Sequence, residues 1–497
     1  MPSRTDISTV VPSVSHAFST EPGPVVAPPV PTINAPSAPT PASTGVSYPA
    51  VLTGVLLMLA VGVNVLVWSA VGVARWVFEH SFRRRSVRRR CSERVRPDQV
   101  AVLIAAHNEE LGVASSVTAA LTLVPPGNVF VVSDGSTDAT VDQARAAGAT
   151  VHELQPNRGK AGALSVGIAA FDLAGRFEVV MLLDADTAPT PDYLLTGLPQ
   201  FDDPGVVAVA GTAATVWRPV GRSSVVGRCL RAYRERQYVL FQTLVKYGQA
   251  AEVVNVLTIV PGFASMYRTR ILADIDIAAP GLAIEDFNMT FEVHARRLGR
   301  IAFHPGAAIA HTQDPDTLAD YRKQVRRWSL GFWQTVRRHG IHHGRFWFSL
   351  AAFVTELLTS NLLFILFGPL LLIVTAAELW GTLLGTTGTV GAAAAEVVSV
   401  LPLQTLLLGV AAPDLVLTVG VAVLQRRPMY LLVGVTFLPL RCLDAWLCLS
   451  ALWITRFTAS PGTWASPTRR PPADLSDQKP ARGRALARQQ SELGDGV

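Results

Sequence analysis

Two long apolar regions flank a middle region of ordinary composition, and they constrain the fold more than any other feature. They lie at residues 49–78 and 346–456. The first exceeds the roughly 20 residues that an α-helix needs to cross a bilayer, and it lies too far from the N-terminus for a cleaved signal peptide. We predict a transmembrane helix over 49–78 and a transmembrane region of about three to four helices over 346–456.

The charges beside these regions predict an orientation in the membrane. An arginine run, RRRSVRRR, follows the first apolar region at Arg83–Arg90. The positive-inside rule places this run in the cytoplasm, and we interpret it as a stop-transfer signal that contacts lipid headgroups. We therefore expect a multi-pass protein of the cell membrane with a cytoplasmic middle domain. Residues 1–48 are rich in Pro, Ser and Thr, and we expect them to be disordered and outside the cell.

The number of C-terminal spans stays open at this stage. Spans are expected near 347–375, 400–424 and 429–455. The last contains Arg441 and Asp444, which lie three residues apart on one helical face and can pair with each other. Three spans would place the tail, residues 457–497, outside the cell, whereas its arginines argue for the cytoplasm. A fourth span or a re-entrant hairpin would remove the conflict.

Composition argues against several functional classes. The formal net charge of +6 is explained by membrane flanks and by binding of a diphosphate. The sequence has no nucleic-acid-binding motif, so we expect no nucleic-acid partner. Its four cysteines lack the spacing of a zinc site or a disulfide framework.

The middle region, residues 98–345, alternates buried strands with helices. Apolar runs end in polar residues at QVAVLIAAHNEE, NVFVVSDGSTDAT and EVVMLLDADTAP. Strands alternating with helices predict an α/β domain with a parallel sheet. Polar residues gather just past the strand ends, where such sheets bind ligands. We expect Asn108 and Glu110, which follow the first strand, to lie at this site.

Asp184 and Asp186 form the most informative polar pair. They follow the apolar run VVMLL, so both carboxylates are expected to enter one crevice. Two such carboxylates repel each other unless a cation lies between them. Hard oxygen ligands suit Mg²⁺ or Mn²⁺, which also take substrate phosphates as ligands. A solvated turn is the alternative interpretation of the pair alone.

Two further positions fit a nucleotide-sugar site. Asp134 lies at a strand end and can accept a hydrogen bond from a base N–H; its alternative role is to cap the next helix. Lys160 lies in the Gly-flanked segment NRGKAGAL and suits a phosphate, although a surface loop is the alternative. The spacing of a Walker loop is missing, which disfavours ATP hydrolysis.

Glu285 and Asp286 supply a candidate general base. They precede the helical segment FNMTFEVHARRLG, so Asp286 is expected at a helix start. Inverting glycosyl transfer needs a carboxylate to take the proton of the attacking acceptor hydroxyl. Helix capping by the two carboxylates is the alternative role.

Seven motifs occur in one order along the chain: AAHNEE, SDGSTD, NRGKAGAL, LLDADT, PGFASMYR, IEDFNMTFE and QVRRW. In this order they resemble membrane-bound, processive family 2 glycosyltransferases, which include cellulose, hyaluronan and poly-N-acetylglucosamine synthases. The resemblance covers about residues 98–345 and the flanking apolar regions. It implies a GT-A (Rossmann-like) domain inserted between transmembrane helices, a UDP-sugar donor and an inverting β-transfer at the cytoplasmic face.

The resemblance also assigns roles to single residues. It implies that Asp134 contacts uridine, that Asp286 is the base and that Asp184 and Asp186 hold the nucleotide and the metal. Its further implied site residues are Asn108, Glu110 and Lys160 for the nucleotide sugar, Gln324 and Arg327 for the diphosphate, and Phe263 and Trp328 for the acceptor. The chain departs from the family at Ile284, where a threonine is usual, and at Ser133, where an aspartate is usual.

Several functions stay open. The first is processive synthesis of a polysaccharide with export, in which an accessory membrane subunit could take part. The second is a single transfer to a membrane lipid acceptor. A non-enzymatic scaffold would predict a broken metal or base site, whereas Asp184, Asp186 and Asp286 are all present.

The segment QVRRW generates a prediction about two adjacent arginines. On a helix, Gln324, Arg327 and Trp328 stand at i, i+3 and i+4 and share one face, with Gly331 continuing it, whereas Arg326 points elsewhere. We expect Arg327→Ala to abolish sugar transfer, because the guanidinium fork that would bind a diphosphate is lost. Arg326→Ala is the matched control and should be mild in the same transfer assay. Equal losses of transfer activity from both substitutions would contradict the prediction that Arg327, but not Arg326, shares a helical face with Gln324 and Trp328.

Overall fold

The computed structural model describes residues 47–82, 95–217, 224–340 and 342–457. The predictions for the N-terminal residues up to 46, for the arginine run at 83–90 and for the tail from 458 lie outside this part of the chain.

A mixed seven-stranded sheet carries the middle domain, in the order β3-β2-β1-β4-β8-β6-β9. Its central strands are apolar and buried up to the polar residues that end two of them, as expected for a sheet covered on both faces. A second sheet has the order β5-β10-β7. The strands are β1 Val100–Ala106, β2 Val129–Asp134, β3 Thr150–Leu154, β4 Val179–Asp184, β5 Thr187–Pro189, β6 Val206–Ala210, β7 Thr212–Thr215, β8 Ala264–Arg268, β9 Arg300–Ala302 and β10 Ile309–Thr312.

The predicted parallel sheet is confirmed only for part of the strand order. Strands β3, β2, β1 and β4 are mutually parallel, whereas β8 runs antiparallel to both of its neighbours. A strand that enters from the opposite direction needs no crossover helix beside it. Alternation of strands and helices therefore predicted the first half of the sheet and missed the second.

Helices cover the sheet and form the apolar regions. Two π-helical turns, Phe241–Lys246 and Leu407–Ala411, interrupt longer helical stretches. The α-helices are α1 Tyr48–Val61, α2 Val63–Phe82, α3 Val113–Leu121, α4 Thr140–Ala146, α5 Gly159–Ala170, α6 Leu173–Arg176, α7 Tyr193–Gly197, α8 Val225–Leu240, α9 Tyr247–Gln249, α10 Asp286–Ala295, α11 Leu318–His339, α12 Arg345–Leu384, α13 Gly388–Val400, α14 Leu403–Leu406, α15 Ala412–Gln425, α16 Met429–Val433 and α17 Phe437–Ile454.

The N-terminal apolar region is a broken helix rather than the single helix predicted over 49–78. Helices α1 and α2 meet at Gly62 with a bend of 68°. Glu356 of α12 accepts hydrogen bonds from the backbone and side-chain amides of Asn64, at 2.7 Å and 3.0 Å. Gly62 has a φ of 97°, and a Cβ there would lie 2.3 Å from the Glu356 Oε1 atom. The carboxylate therefore satisfies donors that the break exposes.

Within the described part of the C-terminal half, three helical stretches are long and apolar enough to cross a membrane. They are Arg345–Leu384, Gly388–Gln425 and Met429–Ile454, and the bent pair α1–α2 is a further candidate. Their positions correspond to the three apolar segments recognised in the sequence.

Arg441 and Asp444 do not pair with each other, so the prediction for this pair is wrong. Arg441 Nη1 lies 3.0 Å from Asp414 Oδ1, and Arg441 Nη2 donates to the Ala60 carbonyl at 2.9 Å. The same Asp414 oxygen lies 2.6 Å from Arg236 Nη2. For Arg441, tertiary partners on α15 and at the end of α1 thus replace the local i, i+3 partner, and Asp414 pairs with a second arginine from α8.

Asp444 is instead bound by three neutral donors. The Tyr233 hydroxyl and the Gln237 amide each donate to Oδ2 at 2.9 Å, and the Tyr321 hydroxyl donates to Oδ1 at 2.6 Å. These donors belong to α8 and α11, whereas Asp444 belongs to α17. Buried hydrogen bonds therefore join the middle domain to the last candidate span.

Asp414 should be essential for stability, because its carboxylate balances Arg236 and Arg441 in a buried setting. Its side chain is 5% exposed and that of Arg236 is 3% exposed. Removing one partner of a buried pair costs about 3–5 kcal/mol, since it leaves the other charge uncompensated. We expect Asp414→Ala to lower the thermal unfolding midpoint of the detergent-solubilised protein strongly. Asp98→Ala, which breaks an exposed pair with Arg96, is the control and should change the midpoint little.

Candidate active site

The ends of three adjacent strands bring the predicted polar residues to one edge of the sheet. Strand β1 lies between β2 and β4, and its residues Ala105 and Ala106 pair with Asp184 and Ser133 respectively. Asp134 and Asp184 therefore end neighbouring strands at the same edge. This edge is where ligands bind in open α/β sheets.

Asp134 has one bound and one free carboxylate oxygen. Oδ1 accepts a hydrogen bond from the Arg158 amide at 2.7 Å. Oδ2 is buried and has no hydrogen-bond partner of good geometry among the described residues. Burial raises the pKa of Asp134, although the Arg158 and Gly159 amides oppose this effect. Helix capping does not explain the residue, because α4 begins at Thr140. A buried acceptor of this kind is suited to a ligand N–H.

Asn108 and Glu110 hold the loop that follows β2. The Asn108 side-chain oxygen accepts a hydrogen bond from the Thr137 amide at 2.9 Å, and a Glu110 carboxylate oxygen accepts one from the Ala139 amide at 3.2 Å. Asn108 has a φ of 54°, in the left-handed region that asparagine tolerates. In this structure their side chains shape the site, and their contact with a nucleotide sugar stays a prediction.

Lys160 links two of the predicted carboxylates. Its ammonium lies 2.6 Å from Asp184 Oδ1 and 2.9 Å from Glu285 Oε1, and it donates to the Gly262 carbonyl at 3.1 Å. Burial disfavours the ammonium, but the charges of Asp184 and Glu285 outweigh burial and raise the pKa of Lys160. The residue lies in the first turn of α5 and faces the cluster, so it is not part of a surface loop.

The adjacent carboxylates Glu285 and Asp286 differ in proton affinity. Burial opposes ionisation of Glu285, but Lys160 outweighs it, so the pKa of Glu285 is lowered. Burial, and then the charge of Glu285, raise the pKa of Asp286 to about 6. A carboxylate with a pKa near 6 is ionised at neutral pH and binds a proton more strongly than an ordinary aspartate, which suits a general base.

Gly262 and Phe263 complete the cluster from the segment before β8. A Cβ at Gly262 would lie 2.9 Å from Glu285 Oε1 and 3.0 Å from Lys160 Nζ, so only glycine leaves this ion pair undisturbed. The Gly262 amide donates to Asp286 Oδ2 at 3.3 Å. The Phe263 carbonyl accepts a hydrogen bond from the Asp184 amide at 2.9 Å. The backbone of this segment therefore fixes both aspartates.

The donor set at Asp184 and Asp186 fits a hard divalent cation. Burial raises the pKa of Asp184, Lys160 opposes this, and the charge of Asp186 raises it further. The charge of Asp186 therefore acts on Asp184 in the direction that a bound cation would reverse. Within the described ranges, no group of three or more His, Cys, Asp and Glu side chains is arranged to hold a metal. The two carboxylates would share a cation with ligands from outside the protein.

Helix α11 carries the QVRRW segment beside this cluster. Thr317 caps the helix, since its hydroxyl accepts a hydrogen bond from the Asp320 amide at 3.1 Å. Gln324 and Trp328 share a face, as predicted, because both contact Arg234. The positive charge of Arg327 contributes to the lowered pKa of Glu285, which places this guanidinium near the cluster.

Comparison with protein families identifies the domain that carries this cluster. The model described as glycosyltransferase like family 2 matches residues 97–331. These residues form a family 2 glycosyltransferase domain. The match begins just before β1 and ends within α11, so it contains every predicted site residue. The predicted GT-A-like α/β fold is confirmed.

Similar proteins include two staphylococcal poly-β-1,6-N-acetyl-D-glucosamine synthases. The one from Staphylococcus epidermidis is 25% identical over 260 residues, covering 50% of this chain and 59% of the relative. The one from Staphylococcus aureus strain COL is 26% identical over 246 residues, covering 48% of this chain and 56% of the relative. The chain thus spans less than two thirds of the length of these curated relatives.

The solved structures that match include glucosyl-3-phosphoglycerate synthase from Mycobacterium tuberculosis, in complex with Mg²⁺ and uridine diphosphate. It is 18% identical, covers 50% of this chain and 81% of that chain, and has a TM-score of 0.32. The same enzyme in complex with Mn²⁺, uridine diphosphate and glucosyl-3-phosphoglycerate is 19% identical. This match covers 50% of this chain and 82% of that chain, with the same TM-score.

Arg234 contacts the predicted site residues of α11, although no sequence motif indicated it. This residue of α8 is buried, donates to Gln324 Oε1 at 2.6 Å and lies with its guanidinium carbon 4.5 Å from the centroid of the Trp328 ring. The same carbon lies 4.7 Å from the Tyr321 ring centroid. The only signal was the unusual charge density of the helix, RAYRERQ, because contact between α8 and α11 is a tertiary feature.

The departure at Ile284 has a packing explanation. A Cβ at Gly331 of α11 would lie 2.1 Å from Ile284 Cγ1, so the isoleucine fills the space that this glycine leaves. The Ala283 amide also donates to the Gln334 side chain of α11 at 2.7 Å. Apolar packing and this hydrogen bond dock the segment before Asp286 onto α11.

Arg234 should act as a positioning residue for Gln324 and Trp328. Arg234→Met keeps much of the volume but removes the charge-assisted hydrogen bond and the cation–π contact. A charged hydrogen bond contributes about 1.5–3 kcal/mol, so we expect a roughly 10- to 100-fold loss of sugar transfer. The measurement compares kcat and KM, with Arg234→Lys restoring part of the activity.

The control for this variant is Lys323→Met, which removes an exposed cation from α11 and should leave kcat and KM unchanged. If the activity of Arg234→Met falls only in proportion to the loss of folded protein, Arg234 has a purely structural role.

Proposed function

We propose that this protein is an inverting glycosyltransferase that adds sugars from a UDP-sugar to a growing β-linked polysaccharide. The observation that carries the proposal is the cluster in which Lys160 joins Asp184 to Glu285, next to the Asp286 carboxylate and α11. The family 2 domain and the poly-N-acetylglucosamine synthases among the relatives support it. They make UDP-N-acetylglucosamine the first donor to test.

The donor would bind along the strand ends. The free Oδ2 of Asp134 is suited to the N–H of a uracil base. Lys160 and Arg327 would contact the diphosphate, and Gln324 would donate an amide hydrogen bond to it. Asp184 and Asp186 would hold Mg²⁺ or Mn²⁺, which supplies positive charge for the departing diphosphate.

The acceptor would lie between α11 and the segment at Phe263. Trp328 offers a flat apolar face to a sugar ring, and Arg234 fixes this indole from one side. Asp286 takes the proton of the acceptor hydroxyl as its oxygen forms a bond to the anomeric carbon. The bond from that carbon to the diphosphate breaks at the same time, and UDP leaves with the electron pair. The carbon is attacked opposite the leaving group, so its configuration inverts.

The candidate spans support a location at a membrane. Hydrogen bonds from α8 and α11 to Asp444 attach the domain directly to the last of them. We propose that the protein is a multi-pass protein of the cell membrane with its glycosyltransferase domain in the cytoplasm. A polymer made at such a site could pass directly to the spans, which is the arrangement that processive export requires.

Direct assay of the products tests the proposal. Purified protein in detergent is incubated with Mg²⁺ or Mn²⁺ and with several radiolabelled UDP-sugars, and the products are separated by length. We expect one UDP-sugar to give long β-linked chains. If the products carry only a single added sugar and are extracted with the lipid fraction, the acceptor is a membrane lipid rather than a polysaccharide. No incorporation from any UDP-sugar would refute the donor class.

The role of Asp286 generates a pH prediction. The base is active when deprotonated, and the pKa of Asp286 is raised to about 6. We therefore expect kcat/KM to be constant at neutral pH and to fall about tenfold per pH unit below pH 6. Asp286→Asn should lower kcat by roughly 10²- to 10⁴-fold.

The matched control for the base is Asp98→Asn, at an exposed carboxylate in a surface ion pair, which should keep both the rate and the pH profile. A pH profile without any fall between pH 7 and pH 5, or full activity of Asp286→Asn, would rule out this base.

A further inference from the structure

A second charged cavity lies away from the strand-end cluster. It has a volume of about 410 Å³ and is formed by the beginning of α8 and the turn between α15 and α16. That turn joins two candidate spans, Gly388–Gln425 and Met429–Ile454. Its lining includes four arginines and an indole: Arg228, Arg231, Arg426, Arg427 and Trp217.

Two of the arginines are fixed as walls of the cavity. Arg231 is 3% exposed and pairs with Asp316, while its Nε atom is buried without a hydrogen-bond partner among the described residues. Arg427 Nε lies 3.2 Å from Glu235 Oε2, and its guanidinium carbon lies 4.1 Å from the Trp217 ring centroid. Ion pairing and stacking therefore hold both guanidinium groups in place before any ligand binds.

The other two arginines leave the cavity positively charged. Arg228 and Arg426 are exposed and form no ion pair with another described residue. Printed ion pairs join Arg231 to Asp316 and Arg427 to Glu235, so the carboxylates beside the cavity are engaged by its other two arginines. The cavity shares no lining residue with the proposed donor and acceptor sites, so sugar transfer does not account for this charge.

We propose that this cavity binds a phosphate group. Guanidinium groups donate hydrogen bonds in a planar fork that matches phosphate oxygens, and prepositioned arginines lose little freedom on binding. The place of the cavity at a turn between candidate spans favours the headgroup of an anionic phospholipid, because basic pockets between membrane helices bind such headgroups. A free phosphate from solution has the same chemistry and is the other source.

Binding to the full chain in neutral-detergent micelles tests the site. Phosphatidylglycerol and inorganic phosphate are titrated separately, with phosphatidylcholine as the zwitterionic comparison. The variant Arg228→Gln/Arg426→Gln removes the two unpaired charges, and Arg322→Gln/Lys323→Gln removes two exposed charges from α11 as the matched control. We expect phosphatidylglycerol to bind the pocket variant at least about tenfold more weakly than the control.

The outcomes separate the two sources. If the pocket variant binds phosphatidylglycerol more weakly than the control variant does, the ligand is a lipid headgroup. If it binds only inorganic phosphate more weakly than the control variant does, the ligand is a free phosphate. If the pocket variant and the control bind both probes equally, the site does not exist. Should the double variant not fold, the single variants Arg228→Gln and Arg426→Gln decide in the same titration.

Discussion

The proposed active site depends on one partly buried ammonium group. Lys160 belongs to α5, Asp184 ends β4, and Glu285 precedes α10, so the two ion pairs of Lys160 join three separate segments of the chain. Without the lysine, three carboxylates would repel one another at the end of the sheet. With it, Glu285 stays ionised and its charge helps to raise the proton affinity of Asp286. Lys160 therefore joins the segments of the cluster and lowers the pKa of Glu285, while burial and the charge of Glu285 raise the pKa of Asp286.

A second group of buried charges connects this cluster to the membrane region. Arg234 of α8 holds Gln324 and Trp328, while Arg236, two residues later, pairs with Asp414 of α15. Residues two apart on a helix point in different directions, so α8 contacts the proposed acceptor site on one side and a candidate span on another.

Sequence patterns predicted the strand ends correctly because such patterns are local. An apolar run followed by aspartate identified β2 and β4, and the carboxyl ends of neighbouring parallel strands meet at one edge. The pairing of Arg441 with Asp444 failed for the same reason. Spacing along one helix reports only the partners within that helix, whereas both side chains found partners on other elements.

The sequence by itself determined the class of domain, the edge of the sheet that carries its polar residues and the apolar segments around it, since each follows from periodicity and composition. Only the tertiary structure decided that Lys160 lies between Asp184 and Glu285, that Arg234 reaches α11 and that helix α1–α2 breaks opposite Glu356. These arrangements join residues that are 24 to 292 positions apart, as the sequence numbers show. The energy of a buried charge depends on which partner reaches it, and that partner is set by packing rather than by spacing.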